Sequence, residues 1–156
     1  MPRPLPLVYV GNQYDRDEAF AGFFAPAAAR HRHRVAGKWT RTAQWPHVTF
    51  TGRIAFTDVR PLYESSLATI LLLPERYARA GQMTQRIFEA VLAGCLPLTP
   101  AGLPFASTCT RQGWSPTRAI ARVSGTPSIS RLVIVAARAP RVAFDKSLSA
   151  MANTTP

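Results

Sequence analysis

Residues 67–73, Leu-Ala-Thr-Ile-Leu-Leu-Leu, run almost wholly apolar to Pro74, and this run limits the fold more than any other feature of the chain. A strand with one wet face alternates polar and apolar residues, whereas an unbroken apolar run is the form of a central parallel strand covered on both faces. It is far too short to cross a bilayer, which takes about 20 residues, and so is the run at 132–137. Parallel strands need crossover connections, usually helices, so strands and helices should alternate along the chain. They do. Leu5–Val10 reads as a buried strand stopped by Gly11-Asn12, Arg34–Gly37 as a second, His47–Gly52 as a third, and Cys95–Leu98 as a strand after the run to Pro74. Between them, Asp15 offers an N-cap with Glu18 three residues on, opening a helix through Phe20, Phe23 and Phe24 toward Ala29, with Pro26 as a kink or end. Residues 58–66 place Val59, Leu62 and Tyr63 at helical spacing behind a Thr57 or Asp58 cap, with Pro61 in the first turn. A third helix starts at Met83 or Thr84, turns Ile87, Phe88, Val91 and Leu92 inward, and ends at Ala93-Gly94. The expected architecture is α/β: a doubly wound, Rossmann-like parallel sheet with right-handed crossovers and a ligand crevice beyond the carboxyl ends of its strands.

After Pro100 the pattern weakens. Residues 101–125 mix Gly, Pro, Ser, Thr and Arg with little periodicity, and 132–135 is the one good strand candidate there. The reading is therefore a domain over residues 1–105 and an Arg-rich, Ser/Thr/Pro-containing tail over 106–156. Charge follows the same division. The 19 Lys+Arg against 8 Asp+Glu give +11, the footprint of a nucleic-acid binder, yet residues 1–100 contribute +5 and residues 101–156 contribute +6. The arginines stand singly and not in a stripe with interleaved aromatics, which argues against nucleic acid as the partner. Cys95 and Cys109 make no disulfide framework and have no metal-ligand spacing, so free thiols are expected. Proline breaks the start, Met1-Pro2-Arg3-Pro4-Leu5-Pro6, so no secretory signal is read and a cytoplasmic setting without a membrane span is expected. His31-Arg32-His33 and the isolated His47 lack a third ligand for a metal.

Several segments together carry a family likeness. Phe50-Thr51-Gly52-Arg53-Ile54, Asp58-Val59-Arg60-Pro61-Leu62-Tyr63, the strand to Pro74, and Thr84-Gln85-Arg86-Ile87-Phe88-Glu89-Ala90-Val91-Leu92-Ala93-Gly94-Cys95-Leu96-Pro97 resemble the carboxyl-terminal, donor-binding half of glycosyltransferases of the GT-B type, built from two Rossmann-like domains. Within that class the resemblance is to the group 1 and spore-maturation (CgeB-like) families. Tyr9-Val10-Gly11-Asn12, Tyr14-Asp15-Arg16-Asp17 and Ala36-Gly37-Lys38-Trp39 fit in order upstream, so the likeness covers roughly residues 5–105.

The resemblance implies metal-independent transfer of a hexosyl-type group from a nucleoside-diphosphate sugar, with no cofactor. It implies that Glu89 accepts hydrogen bonds from the ribose hydroxyls. The loop Gly81-Gln82-Met83-Thr84 is then expected to present backbone N–H groups to the diphosphate at a helix start. Arg86, Arg16 and Arg53 are the guanidinium groups expected on phosphate oxygens, and Gly11-Asn12 is the glycine turn beside them. Asp15-Arg16-Asp17 also has the form of a metal-binding Asp-x-Asp, against which the helix cap is preferred. Two departures matter. Many group 1 members carry a glutamate where this chain has Gly81, and the chain begins at the first strand of the donor domain, without the amino-terminal acceptor domain. A separate acceptor-binding domain or polypeptide is therefore expected to complete it. The alternatives are a basic α/β module that binds nucleic acid through the Arg-rich last third, or a silent glycosyltransferase remnant.

Overall fold

In the computed structural model, which describes residues 2–100 and 132–134, the chain lays down β1 (Leu5–Val10), α1 (Asp17–Ala19), a π-helical turn (Phe20–Phe24), α2 (Ala25–Ala28), β2 (His33–Ala36) and β3 (Phe50–Gly52). It continues with α3 (Phe56–Glu64), β4 (Ser66–Ile70), α4 (Glu75–Arg79), α5 (Arg86–Leu92), β5 (Leu96–Pro100) and β6 (Leu132–Ile134). The sheet order is β3-β2-β1-β4-β5-β6. The first five strands are parallel, with Leu7 opposite both His33 and Ala68 and Ile70 opposite Leu98. β6 closes the sheet antiparallel to β5, pairing Ile134 with Leu98 and Leu132 with Pro100. The doubly wound α/β expectation is met, and so is the strand expected near 132. Residue 105 and Cys109 lie outside the described residues.

The two-residue period of the strands builds two cores. Leu7, Tyr9, Val35, Ala68, Ile70 and Leu98 face one side, against Phe20, Phe24 and Trp45, while Val8, Val10 and Ala36 face the other, against Val59, Leu62, Tyr63, Ala90 and Ala93. Both faces of β1 and β4 are thus dry, as the run to Pro74 demanded. Phe20 and Phe24 are fully buried, each contributing about 1.5–3 kcal/mol by burial, and their rings meet Tyr9 edge-on at 5.7 Å. Cys95 is a buried free thiol in the second core, and burial pushes its pKa up to about 12.

Helix ends depart from the sequence reading. Asp15 is not the first N-cap: it holds a left-handed φ of 51°, Arg16 takes the cap position without a side-chain bond, and Asp17 accepts from Gln13 Nε2 at 2.7 Å and Arg41 Nη2 at 2.5 Å. Pro26 does not end the helix either, because it enters at the first turn of α2. The π-turn just before it carries Ala25 N–H to Phe20 O, widening the spiral where a proline ring crowds the preceding turn. In α3 the cap residue is Ala55, and Pro61 lies inside the helix, beyond its first turn. Pro61 and Thr57, whose carbonyl has no N–H partner at position 61, are both exposed, so that carbonyl is not buried unpaired. α4 forms in what reads as a polar connection. α5 turns a different face inward: Ile87, Ala90 and Ala93 are buried, while Phe88 is 59% and Leu92 83% exposed. Close seating on the sheet selects the small side chains.

Arg3 ties this layer together. Its Nη1 donates to Tyr63 O and Ser66 O, and its Nη2 to Ala93 O, at 2.7–3.1 Å, binding the ends of α3 and α5 with a cation where both helices expose carbonyls. Arg3→Ala is expected to lower stability by about 1–3 kcal/mol in urea denaturation, as for hydrogen bonds to a charged group. A loss below about 0.5 kcal/mol, typical of surface changes, would count against this role.

Candidate functional site

In the strand order, the chain steps from β1 out to β2 and β3 on one side, then crosses back through α3 to β4 on the other side of β1 and steps out again to β5. That reversal is the topological switch point, where open α/β sheets bind ligands. A cavity of about 180 Å3 lies there, with Val10-Gly11-Asn12 of the β1 end and Ile70-Leu71-Leu72 of the β4 end in its walls, together with Tyr9, Arg16, Thr84 and Arg86.

Arg16 spans the switch. Its Nε donates to Leu72 O at 3.0 Å and its Nη1 to Asn12 O and Tyr14 O, both at 3.0 Å. It thereby clasps the two strand ends through backbone carbonyls and stands outside every ion pair among the described residues. Arg86 enters from the opposite wall at the start of α5. Its Nη1 pairs with Glu89 Oε2 at 2.5 Å, with the two side chains 33% and 27% exposed, and Thr84 Oγ1 accepts from its backbone N–H at 3.3 Å.

The β1 end is rigid for reasons of fit. Gly37 (φ +142°) presses so closely that a Cβ on it would sit 2.0 Å from Gly11 O. Trp39 Nε1 donates to Gly11 O at 2.8 Å, and Lys38 N–H to Asn12 Oδ1 at 2.8 Å. Gln13, only 7% exposed, accepts from Thr40 N–H at 2.9 Å and Arg41 N–H at 3.1 Å. Tyr9 completes the floor. Its hydroxyl occupies space beside Gly11 that a side chain there would need, 2.8 Å from the place of a Cβ. Burial pushes its pKa up to about 12 against the opposing pull of Arg16 and Arg86, so it stays an O–H donor.

Of the residues expected from sequence, Gly11, Asn12, Arg16, Thr84 and Arg86 meet at this cavity, and Glu89 joins through Arg86. Five do not line it, Glu89 among them. Arg53 is exposed after β3, and Met83 is 43% exposed. Gly81 (φ +66°) and Gln82 close α4, with their N–H groups donating to Ala78 O at 3.1 Å and Tyr77 O at 3.0 Å, a Schellman ending. Two of the four amides of the expected phosphate loop are thus spent on the helix end. The first amides of α5 are also engaged, Ile87 on Thr84 O and Phe88 and Glu89 on Gln85 O. The cations of the crevice are therefore side chains, Arg16 and Arg86. Sequence reasoning gave Tyr9 no role at the site beyond its strand and the family-like segment, and did not single out Gln13. Among the described residues no three His, Cys, Asp or Glu gather closely enough to hold a metal ion, and no helix is long and apolar enough to cross a membrane.

A family model described as glycosyl transferase-like matches residues 16–139, reaching past residue 105. No curated protein matches the chain. Among solved structures, T4 phage BGT in complex with UDP and Mn2+ is similar, with a TM-score of 0.54 and 16% identity over 66% of this chain and 31% of that one. The likeness at that identity is one of fold, and the chain spans about a third of the length of that protein.

Proposed function

Since the chain belongs to the glycosyl transferase-like family, we propose that it is a donor domain whose crevice binds a nucleoside-diphosphate sugar. Glycosyl transfer then requires an acceptor-binding domain or polypeptide on the facing side. The observation that carries this reading is the convergence of Arg16 and Arg86 on one cavity at the switch point, since paired guanidinium groups match the oxygens of a diphosphate. The solved structure similar in fold contains UDP, which supports the same ligand class. The cavity, at about 180 Å3, is smaller than the roughly 300–1,000 Å3 of complete small-molecule sites, in keeping with a crevice that supplies one wall.

In this reading Glu89 uses Oε1 for the ribose hydroxyls while Oε2 holds Arg86. Arg86 and Arg16 take the diphosphate, and the bare Gly11 lets the ligand approach the backbone. As the bond from sugar to diphosphate breaks, negative charge grows on the departing oxygen, and fixed guanidinium groups stabilise it more than they stabilise the ground state. Two side-chain cations do this without a metal ion. The finer likeness to the spore-maturation group belongs to the same proposal.

A thermal-shift series on the purified chain in EDTA, with UDP, GDP and their sugars, tests it. A ligand at 100 times its Kd should add about 2.7 kcal/mol to the folded state, and one base is expected to stabilise selectively. A shift that needs Mn2+ would overturn metal independence. No shift from any nucleotide, with or without Mn2+, in a sample shown to be folded would reject the donor reading.

A further inference from the structure

A side-chain cluster at the crevice mouth has no part in the site so far described. Tyr14 follows Asn12 and Gln13 out of β1 and is 61% exposed, and its carbonyl is one of the three that hold Arg16. Across from it, α4 begins directly after the β4 end, carrying Arg76 and Tyr77. The Arg76 guanidinium lies 5.1 Å from the Tyr14 ring centre and 4.7 Å from that of Tyr77, and its Nη2 donates to Tyr77 Oη at 3.1 Å. Arg79, one turn on, is neutralised by Glu75. Arg76 is in no ion pair among the described residues; Asp15 acts on it from beyond pairing distance.

Two rings and one hydroxyl thus hold the guanidinium, and the bond from Nη2 to Tyr77 Oη uses one of its five N–H donors; a guanidinium with donors left over takes a planar carboxylate by two parallel bonds. Position says what would bring that carboxylate. In the donor reading, with the ribose at Glu89 and the diphosphate across Arg86 and Arg16, the next group along the ligand comes to the Arg16 end, and Tyr14, whose carbonyl holds Arg16, and Arg76 over the Tyr14 ring belong to that end. We propose that Tyr14, Arg76 and Tyr77 form an acidic-sugar subsite, in which Arg76 binds the carboxylate of a uronic acid and Tyr14 lies against its ring, so that the donor class is a nucleoside-diphosphate uronate. This rests on the donor-domain reading and adds a choice of sugar to it.

The test is calorimetry on the full chain with two matched pairs, UDP-glucose against UDP-glucuronate and GDP-mannose against GDP-mannuronate. At least one uronate is expected to bind tenfold or more tightly than its neutral partner. Arg76→Ala should equalise that pair, Arg76→Lys should restore the preference only in part, and Arg79→Ala should leave it as in the wild type. Equal affinity within both pairs, or a preference that survives Arg76→Ala, overturns the subsite and leaves the donor reading standing. If no member of either pair and neither free UDP nor GDP binds, both readings fall together.

Discussion

Gly37→Ala is expected to cost about 2–6 kcal/mol, a large share of the roughly 5–15 kcal/mol that holds a domain folded. Two effects add. The backbone there has φ +142°, a region that side chains rarely adopt, and the new Cβ would lie 2.0 Å from Gly11 O, 2.6 Å from Gly11 C and 3.2 Å from Asn12 N. Each contact is with backbone, which no rotamer change relieves. Strained backbone costs about 1–3 kcal/mol and overpacking about 1–3 kcal/mol more. Gly52 (φ +75°) and Gly22 are the controls, since a Cβ on either meets nothing within 4 Å. Gly52→Ala should lose only the conformational part, about 1 kcal/mol, and Gly22→Ala should be neutral or slightly stabilising. Urea midpoints of the three variants settle the order; a Gly37→Ala protein that unfolds with the wild type would refute the account of the β1 end.

Glu89→Ala should weaken nucleoside-diphosphate binding by at least about a hundredfold, near 2.7 kcal/mol, with the fold intact. The change removes a proposed ribose acceptor and also releases Arg86, whose Nη1 it holds at 2.5 Å, so that the guanidinium loses its positioning partner. The two contributions separate by experiment. If Glu89 acts only through Arg86, then Arg86→Ala and the double variant should bind alike, and the loss should be equal for ribose and deoxyribose nucleotides. A ribose role instead makes the loss smaller for the deoxyribose form. Unchanged calorimetric affinity in Glu89→Ala would remove the residue from the site.

What the sequence disclosed, and what it withheld, follows from the range of the forces involved. Strands β1 and β4 were legible because their apolar runs and glycine or proline stops are local. The ends of α1 and α3 were not, since no side-chain cap forms at either and Asp17 is claimed by Gln13 and Arg41 across a loop. In α5, helical spacing allows either Phe88 and Leu92 or Ala90 and Ala93 to face the sheet, and only the distance between the packed layers decides for alanine. The site divides in the same way. Arg16, Thr84, Arg86, Gly11 and Asn12 came with the family pattern, whereas Gly81 serves a helix end and Tyr9 enters the floor through its rings' contacts with Phe20, Phe24 and Trp39.

The central pairing of the sheet has a kinetic consequence. β1 joins β2 over a short stretch of chain but joins β4 at Leu7 opposite Ala68, a separation of about sixty positions. Closing that loop carries an entropic toll that grows with its length, and long-range pairings form slowly. During synthesis, β1, β2 and β3 emerge before β4 exists. The crevice, made from both β1 and β4 ends, therefore does not exist until that pairing has formed, and nothing that binds it has a target earlier. A ligand of the crevice would therefore act by slowing unfolding and not by speeding the pairing of β1 with β4.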